Sequence, residues 1–184
     1  ALGASLGVWA LCKSLRTKAY VVYEDDLVEF QTKRAFRQVF DTAEINEMTV
    51  TPLKALQMVT DQTLVVVVDT HRPDSTMQPK ILDKCKEVCV IDHHRKGAQF
   101  INNPIFQYHE PQSSSASELV TELIFYQTSK VNVSEQVANF LLSGICLDTK
   151  FFKTGASGKT FEMAMNLKNY QASVEAVNEY FKEE

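Results

Sequence analysis

No apolar run in this 184-residue chain approaches the ~20 residues of a membrane-spanning helix, and no signal peptide opens it. No strand-like segment runs into a Gly-x-Gly-x-x-Gly turn, which excludes a dinucleotide-binding loop. Ser-His-Asp hydrolysis lacks its nucleophile elbow, since the serines at 113–115 open a helix instead. Cysteine is sparse and scattered, at Cys12, Cys85, Cys89 and Cys146. The step from Cys85 to Cys89 is not the two-residue gap of a zinc knuckle or a thioredoxin motif. Cysteine-held zinc is therefore excluded, and the thiols are expected to be reduced, in or near the core of a cytosolic protein. Positive charge is in no excess: 19 Lys and Arg against 23 Asp and Glu leave a net charge of −4. That balance argues against duplex nucleic acid as a partner, though not against a small basic pocket. Neither an initiator Met nor a helix N-cap precedes Ala1-Leu2-Gly3-Ala4-Ser5, so the chain reads as cut out of something longer. It holds no internal repeat and no low-complexity linker.

What is present is an ordinary globular composition, 45% hydrophobic and 23% charged. A chain of this length makes one large domain, or one with a small appendage, and needs no staples. Apolar residues from Ala4 to Leu15 predict a packed helix, with Gly3 and Gly7 permitting a close approach by a neighbour. A short strand is expected at 19–23, helices at 30–40 and 52–60, and a polar connection between them at 41–48. A strand follows at 64–68, a helix near 77–86, a strand at 87–91, and loop and edge structure from 97 to 108. Helices at 116–129, 134–147, 159–169 and 173–182 make the C-terminal part largely helical. Ser115 and Glu118 have the spacing of a capping box. Neither Leu64–Val68 nor Glu87–Ile91 alternates polar with apolar. Continuous β-branched runs of this kind belong to parallel strands covered on both faces. The rhythm predicts an α/β fold, a doubly wound, mostly parallel sheet flanked by helices, with ligands at the carboxyl ends of the strands.

The chemistry collects at those ends. One strand closes in Asp92-His93-His94-Arg95, the other in Asp69-Thr70-His71-Arg72, and Asp148 ends the apolar run 140–147. An isolated His-His pair is more often a surface pair than a ligand set, and an acid after a buried strand often only caps the next helix. Three acids expected at one place are harder to dismiss, because clustered carboxylates repel unless a cation neutralises them. Oxygen and imidazole donors suit a hard divalent ion, Mn²⁺ or Mg²⁺, and the neighbouring arginines suit a phosphate. A metal-dependent phosphoesterase is the reading. Ser114 and Ser115, at a predicted helix start, are candidates for binding the same phosphate, with simple capping as the plain alternative.

In order along the chain, Val66-Val67-Val68-Asp69-Thr70-His71-Arg72-Pro73, Val90-Ile91-Asp92-His93-His94-Arg95, Ser117-Glu118-Leu119-Val120-Thr121-Glu122-Leu123 and Leu147-Asp148-Thr149-Lys150 form four blocks. Together they resemble the DHH phosphoesterases, named for the Asp-His-His triplet, and most of all the branch of bacterial cyclic-di-AMP phosphodiesterases. The resemblance runs nearly the whole length of 1–184. It implies a two-manganese site that opens a cyclic dinucleotide to a linear one by attack of a metal-bound hydroxide. In that pattern Asp69 bridges the metals, while His93 and Asp148 ligate one of them. His94 and Arg95 face the phosphate, and Asp92 orients the imidazoles. Two family features, a His followed by Asp-x-Asp and a glycine-rich substrate-binding domain, are expected to lie outside residues 1–184. The chain would then hold about half of a metal site, and activity of the fragment by itself stays open. Lys96 stands where the close branch has a second arginine, and Lys153–Lys159 matches only loosely. The resemblance further implies a parent anchored in the cell membrane with this domain on the cytoplasmic side, and it admits a homodimer. Two alternatives are carried: a hydrolase of very short RNA or nucleotide phosphates with the same metals, and an inactive nucleotide-binding module.

Overall fold

A computed structural model describes residues 1–182 of the chain. Helix α1 (Leu2–Ser14) is followed by β1 (Val21–Val22), α2 (Phe30–Val39), α3 (Thr42–Met48), β2 (Thr49–Val50) and α4 (Pro52–Met58). Strands β3 (Leu64–Val68), β4 (Glu87–Asp92) and β5 (Phe106–His109) come next. Four helices close the chain: α5 (Ala116–Phe125), α6 (Glu135–Asp148), α7 (Gly158–Asn169) and α8 (Val174–Tyr180). The fold is α/β, with parallel strands flanked by helices and a helical C-terminal part. Backbone pairing divides the strands into a pair, β1-β2, and a trio ordered β3-β4-β5, and every pairing is parallel. In the trio Val68 lies opposite Ile91, and Asp92 lies opposite His109. Parallel pairing makes all three strands finish on one side, so the residues just after them share an edge.

The core lies where α1, α5 and α6 meet. Leu6, Leu119, Val120, Leu141 and Ile145 are fully buried there. Gly3 is what lets α1 and α6 approach: a Cβ at that position would lie 2.0 Å from the Phe140 carbonyl oxygen. The second helix contact, α5 on α6, has the same device in Gly144, where a Cβ would meet the Ser117 hydroxyl at 2.1 Å. Asp148 is the last residue of α6, so this packing also sets where that acid stands.

Three expectations change. Residues 41–48 are not a connection but mostly α3, opened by a full capping box in which Asp41 accepts from the Glu44 amide and Glu44 accepts from the Asp41 amide. The predicted helix at 77–86 reduces to a 3₁₀ turn, Pro79–Ile81. Ile81 is the one buried residue of the turn, with Leu82 and Cys85 half-buried beyond it. At the start of α5 the Ser115 hydroxyl does accept from the Glu118 amide, at 3.0 Å. The Glu118 carboxylate, however, takes the Ser114 amide and hydroxyl and the Thr160 hydroxyl, not the Ser115 amide.

Candidate metal centre

Strand β3 stops because Asp69 turns left-handed, with φ 65°, a conformation that aspartate tolerates better than most residues. Its amide still donates to Ile91 O at 2.9 Å, which ties the turn to β4. At the neighbouring position of the parallel register β4 delivers Asp92, and His93 and His94 follow beyond its end.

The side chains then converge. His93 Nε2 lies 3.4 Å from Asp69 Oδ1 and 3.6 Å from Asp148 Oδ2. Asp69, His93 and His94 each offer a ligand atom, all within 4.8 Å of one another. The Ala1 backbone nitrogen sits 2.7 Å from Asp69 Oδ2. Burial pushes the Asp69 carboxyl up, and the adjacent His93 imidazole pulls it down. Asp148 shifts the opposite way, raised by burial and by the negative charge of Asp69. His93 is raised, first by its contact with Asp69 and further by Asp148, against its own burial.

Two features say that this arrangement suits a cation. Asp69 Oδ1 is buried with no hydrogen-bond partner among the described residues, a costly state for a carboxylate oxygen. Asp148 carries its charge at the C-terminal end of α6, where the helix macrodipole disfavours an anion. A divalent ion would relieve both, and carboxylate plus imidazole donors fit Mn²⁺ or Mg²⁺.

Asp92 does different work. It is wholly buried, and each oxygen is engaged. Oδ1 takes the His94 amide at 3.2 Å and His94 Nδ1 at 2.7 Å, and Oδ2 takes His71 Nδ1 at 2.5 Å. Burial alone would raise its carboxyl, yet the bonds from His71 and His94 bring it below the usual range. Asp92 thus grips His94 and His71 rather than His93. His71, counted from its position among the strand-end histidines, is buried on Asp92 and stands apart from the Asp69 cluster. Arg95 is exposed beside His94 and makes no ion pair among the described residues. Ser114 and Ser115 are turned to Glu118 as described, which is the capping alternative. Gly3-Ala4-Ser5-Leu6-Gly7 spells Gly-x-Ser-x-Gly, but it lies inside α1, with the Ser5 hydroxyl 3.3 Å from Ala1 O. It is no elbow.

One residue the sequence reading passed over joins the site. His109, the last residue of β5, has Nε2 2.5 Å from the His94 carbonyl oxygen. The signal available for it was the end of a short run, Phe106-Gln107-Tyr108-His109, taken there as loop and edge.

Residues 1–145 match the profile described as "DHH family, N-terminal domain". The chain belongs to the DHH family. It is 37% identical over 183 residues to the cyclic-di-AMP phosphodiesterase PdeA of Listeria monocytogenes, spanning all of this chain and 28% of that protein. It is 36% identical over 110 residues to a probable manganese-dependent inorganic pyrophosphatase of Thermotoga maritima, which covers 60% of this DHH chain and 19% of the relative. Among solved structures, an exopolyphosphatase-related protein from Bacteroides fragilis superposes with a TM-score of 0.74 at 17% identity. That superposition covers 99% of this chain and 52% of the other, and it shows the fold. The DHH chain therefore spans about a quarter of the length of the phosphodiesterase it matches.

Proposed function

We propose that this DHH domain is part of a manganese-dependent phosphodiesterase that opens cyclic-di-AMP to a linear dinucleotide. The observation that carries the proposal is the approach of both Asp69 and Asp148 to His93 Nε2, with a buried carboxylate oxygen left without a hydrogen-bond partner. Likeness over the whole chain to a cyclic-di-AMP phosphodiesterase supports the substrate. Likeness to a manganese-dependent pyrophosphatase supports the metal, with Mg²⁺ as the other hard ion the donors would accept.

In this reading Asp69, His93 and Asp148 would hold the metal. The ions, when bound, supply Lewis-acid activation of water and of the phosphoryl oxygens. His94, gripped by Asp92, faces the phosphate, and the exposed Arg95 guanidinium offsets phosphate charge. The retained acids favour an enzyme over an inactive binding module, which has no use for clustered carboxylates. We further place the domain on the cytoplasmic side of a membrane-anchored parent that forms a homodimer, a placement supported by resemblance alone. No helix among the described residues is long and apolar enough to cross a membrane.

The test is turnover by the protein that carries this domain, loaded with Mn²⁺, on cyclic-di-AMP, a short linear RNA and pyrophosphate side by side. Fastest turnover of cyclic-di-AMP is expected. Preference for the RNA or for pyrophosphate would overturn the substrate assignment and favour the nucleotide-phosphate alternative. No hydrolysis of any of the three would favour the binding module.

A further inference from the structure

A second group of candidate ligands, His71, Asp92 and His109, also lies within 4.8 Å of one another, but its atoms are already spent. His71 Nδ1 is on Asp92 Oδ2, and His71 Nε2 accepts from the Gly97 amide at 3.2 Å. His109 Nε2 is on the His94 carbonyl. Both nitrogens of His71 and both oxygens of Asp92 are thus hydrogen-bonded. The group is a hydrogen-bonded frame, and it leans on His94.

We propose that His71 is a positioning residue that fixes, through Asp92, which nitrogen of His94 faces the site. The inference rests on the metal-centre reading above. Because His71 Nε2 accepts a backbone N–H, that nitrogen carries no hydrogen, so the ring holds its proton on Nδ1 and donates it to Asp92 Oδ2. An ionised carboxylate only accepts. Asp92 Oδ1 must then receive a proton from His94 Nδ1 as well as from the His94 amide. His94 is thereby held in the Nδ1–H form, with Nε2 bare and available to a metal ion or to a hydrogen-bond donor in the site. Free imidazole side chains favour the opposite form, with hydrogen on Nε2. The frame thus selects the less common tautomer, as carboxylates behind metal-site histidines do.

His71 suits the task because it is itself fixed. It is 4% exposed, its carbonyl accepts from the Ile101 amide at 2.7 Å, and the chain from Gly97 to Ile101 closes over the ring. Without it, Asp92 Oδ2 would be a buried carboxylate oxygen with no donor. The carboxylate would turn or take a proton, and His94 would lose its reason to keep Nδ1 protonated.

Two-bond proton–nitrogen correlation on the metal-free, ¹⁵N-histidine-labelled full protein reads the tautomers directly. His94 and His71 should both show a protonated Nδ1 and a bare Nε2. In His71→Phe, His94 should switch to Nε2–H. In His71→Asn, whose amide nitrogen takes the place of Nδ1, His94 should keep Nδ1–H. A wild-type His94 protonated on Nε2 would overturn the proposal even if no variant folded, and so would an unchanged His94 tautomer in folded His71→Phe. On cyclic-di-AMP, kcat of His71→Phe should fall at least about tenfold, with KM nearly unchanged and with recovery in His71→Asn. Equal loss in both variants would mean that His71 only supports the fold. Failure of the wild type to hydrolyse cyclic-di-AMP would sink the function reading and leave the tautomer result standing.

Discussion

Gly3→Ala is the substitution that most directly probes how α6, and with it Asp148, is held. The added Cβ would sit 2.0 Å from the Phe140 carbonyl oxygen and 2.7 Å from its carbon. Both are backbone atoms in the middle of α6, so no side chain can rotate away. Relief requires α1 to back off by roughly an ångström, which forfeits a quarter to a half of the dispersion well along the contact. Overpacking of this kind costs typically 1–3 kcal/mol and occasionally more. The gain in helix propensity from glycine to alanine returns only about 0.5–1 kcal/mol. With backbone on both sides of the clash the cost falls at the upper end, so a net loss of about 2–2.5 kcal/mol is expected, and at roughly 2–4 °C per kcal/mol for a chain of this size Tm should fall by about 4–10 °C. Gly158→Ala is the comparison. It lies at the start of α7, with nothing within 4 Å of the added carbon, and should raise stability by about 0.4–1 kcal/mol. Thermal unfolding followed by circular dichroism measures both. A Gly3→Ala protein as stable as wild type, or a Gly158→Ala loss of the same size, would refute the close-packing argument.

Asp69→Ala in the protein carrying this domain should reduce cyclic-di-AMP turnover by on the order of 10³-fold or more, because metal activation of water carries several kcal/mol of the barrier; near-normal kcat would mean the site is misassigned. Ser115→Ala removes the α5 cap bond to the Glu118 amide and should cost about 1 kcal/mol in denaturant unfolding, whereas a change in KM without loss of stability would place Ser115 on the substrate instead. His93, raised above its ordinary value chiefly by its contact with Asp69, stabilises the metal-free fold fully below about pH 6.5, and that contribution is lost as pH rises through the folded value. Mn²⁺ must displace that proton, so its affinity should climb over the same window. Calorimetry at stepped pH reads this, and a flat profile would argue that His93 is not a ligand.

How much of this was legible beforehand depended on how local each signal was. Val65–Val68 and Val88–Ile91 are β-branched runs that end in acids, and local pattern alone placed Asp69, Asp92 and His93 at strand ends. Gly3 marked the close helix contact for the same reason. Parallel pairing then made those ends coincide. The bonds from His71 to Asp92 and from His109 to His94 span 21 and 15 residues. They exist because register sets Asp92 opposite His109, which no window of sequence contains. Helix α3 was missed because seven residues carry too little periodicity, although Asp41 and Glu44 held its capping box in plain view. The segment 77–86 failed in the other direction: its apolar residues Ile81, Leu82 and Cys85 do pack inward, but the chain past Pro79 forms only a 3₁₀ turn.

The central claim is that Asp69, His93 and Asp148 hold divalent metal, and calorimetric titration of Mn²⁺ tests it most directly. The protein that carries this domain should be titrated beside its Asp69→Ala variant, each shown to be folded. Saturable binding of two ions in the wild type, lost in Asp69→Ala, is the expected result. Equal binding in both proteins, or none in the wild type, would contradict it.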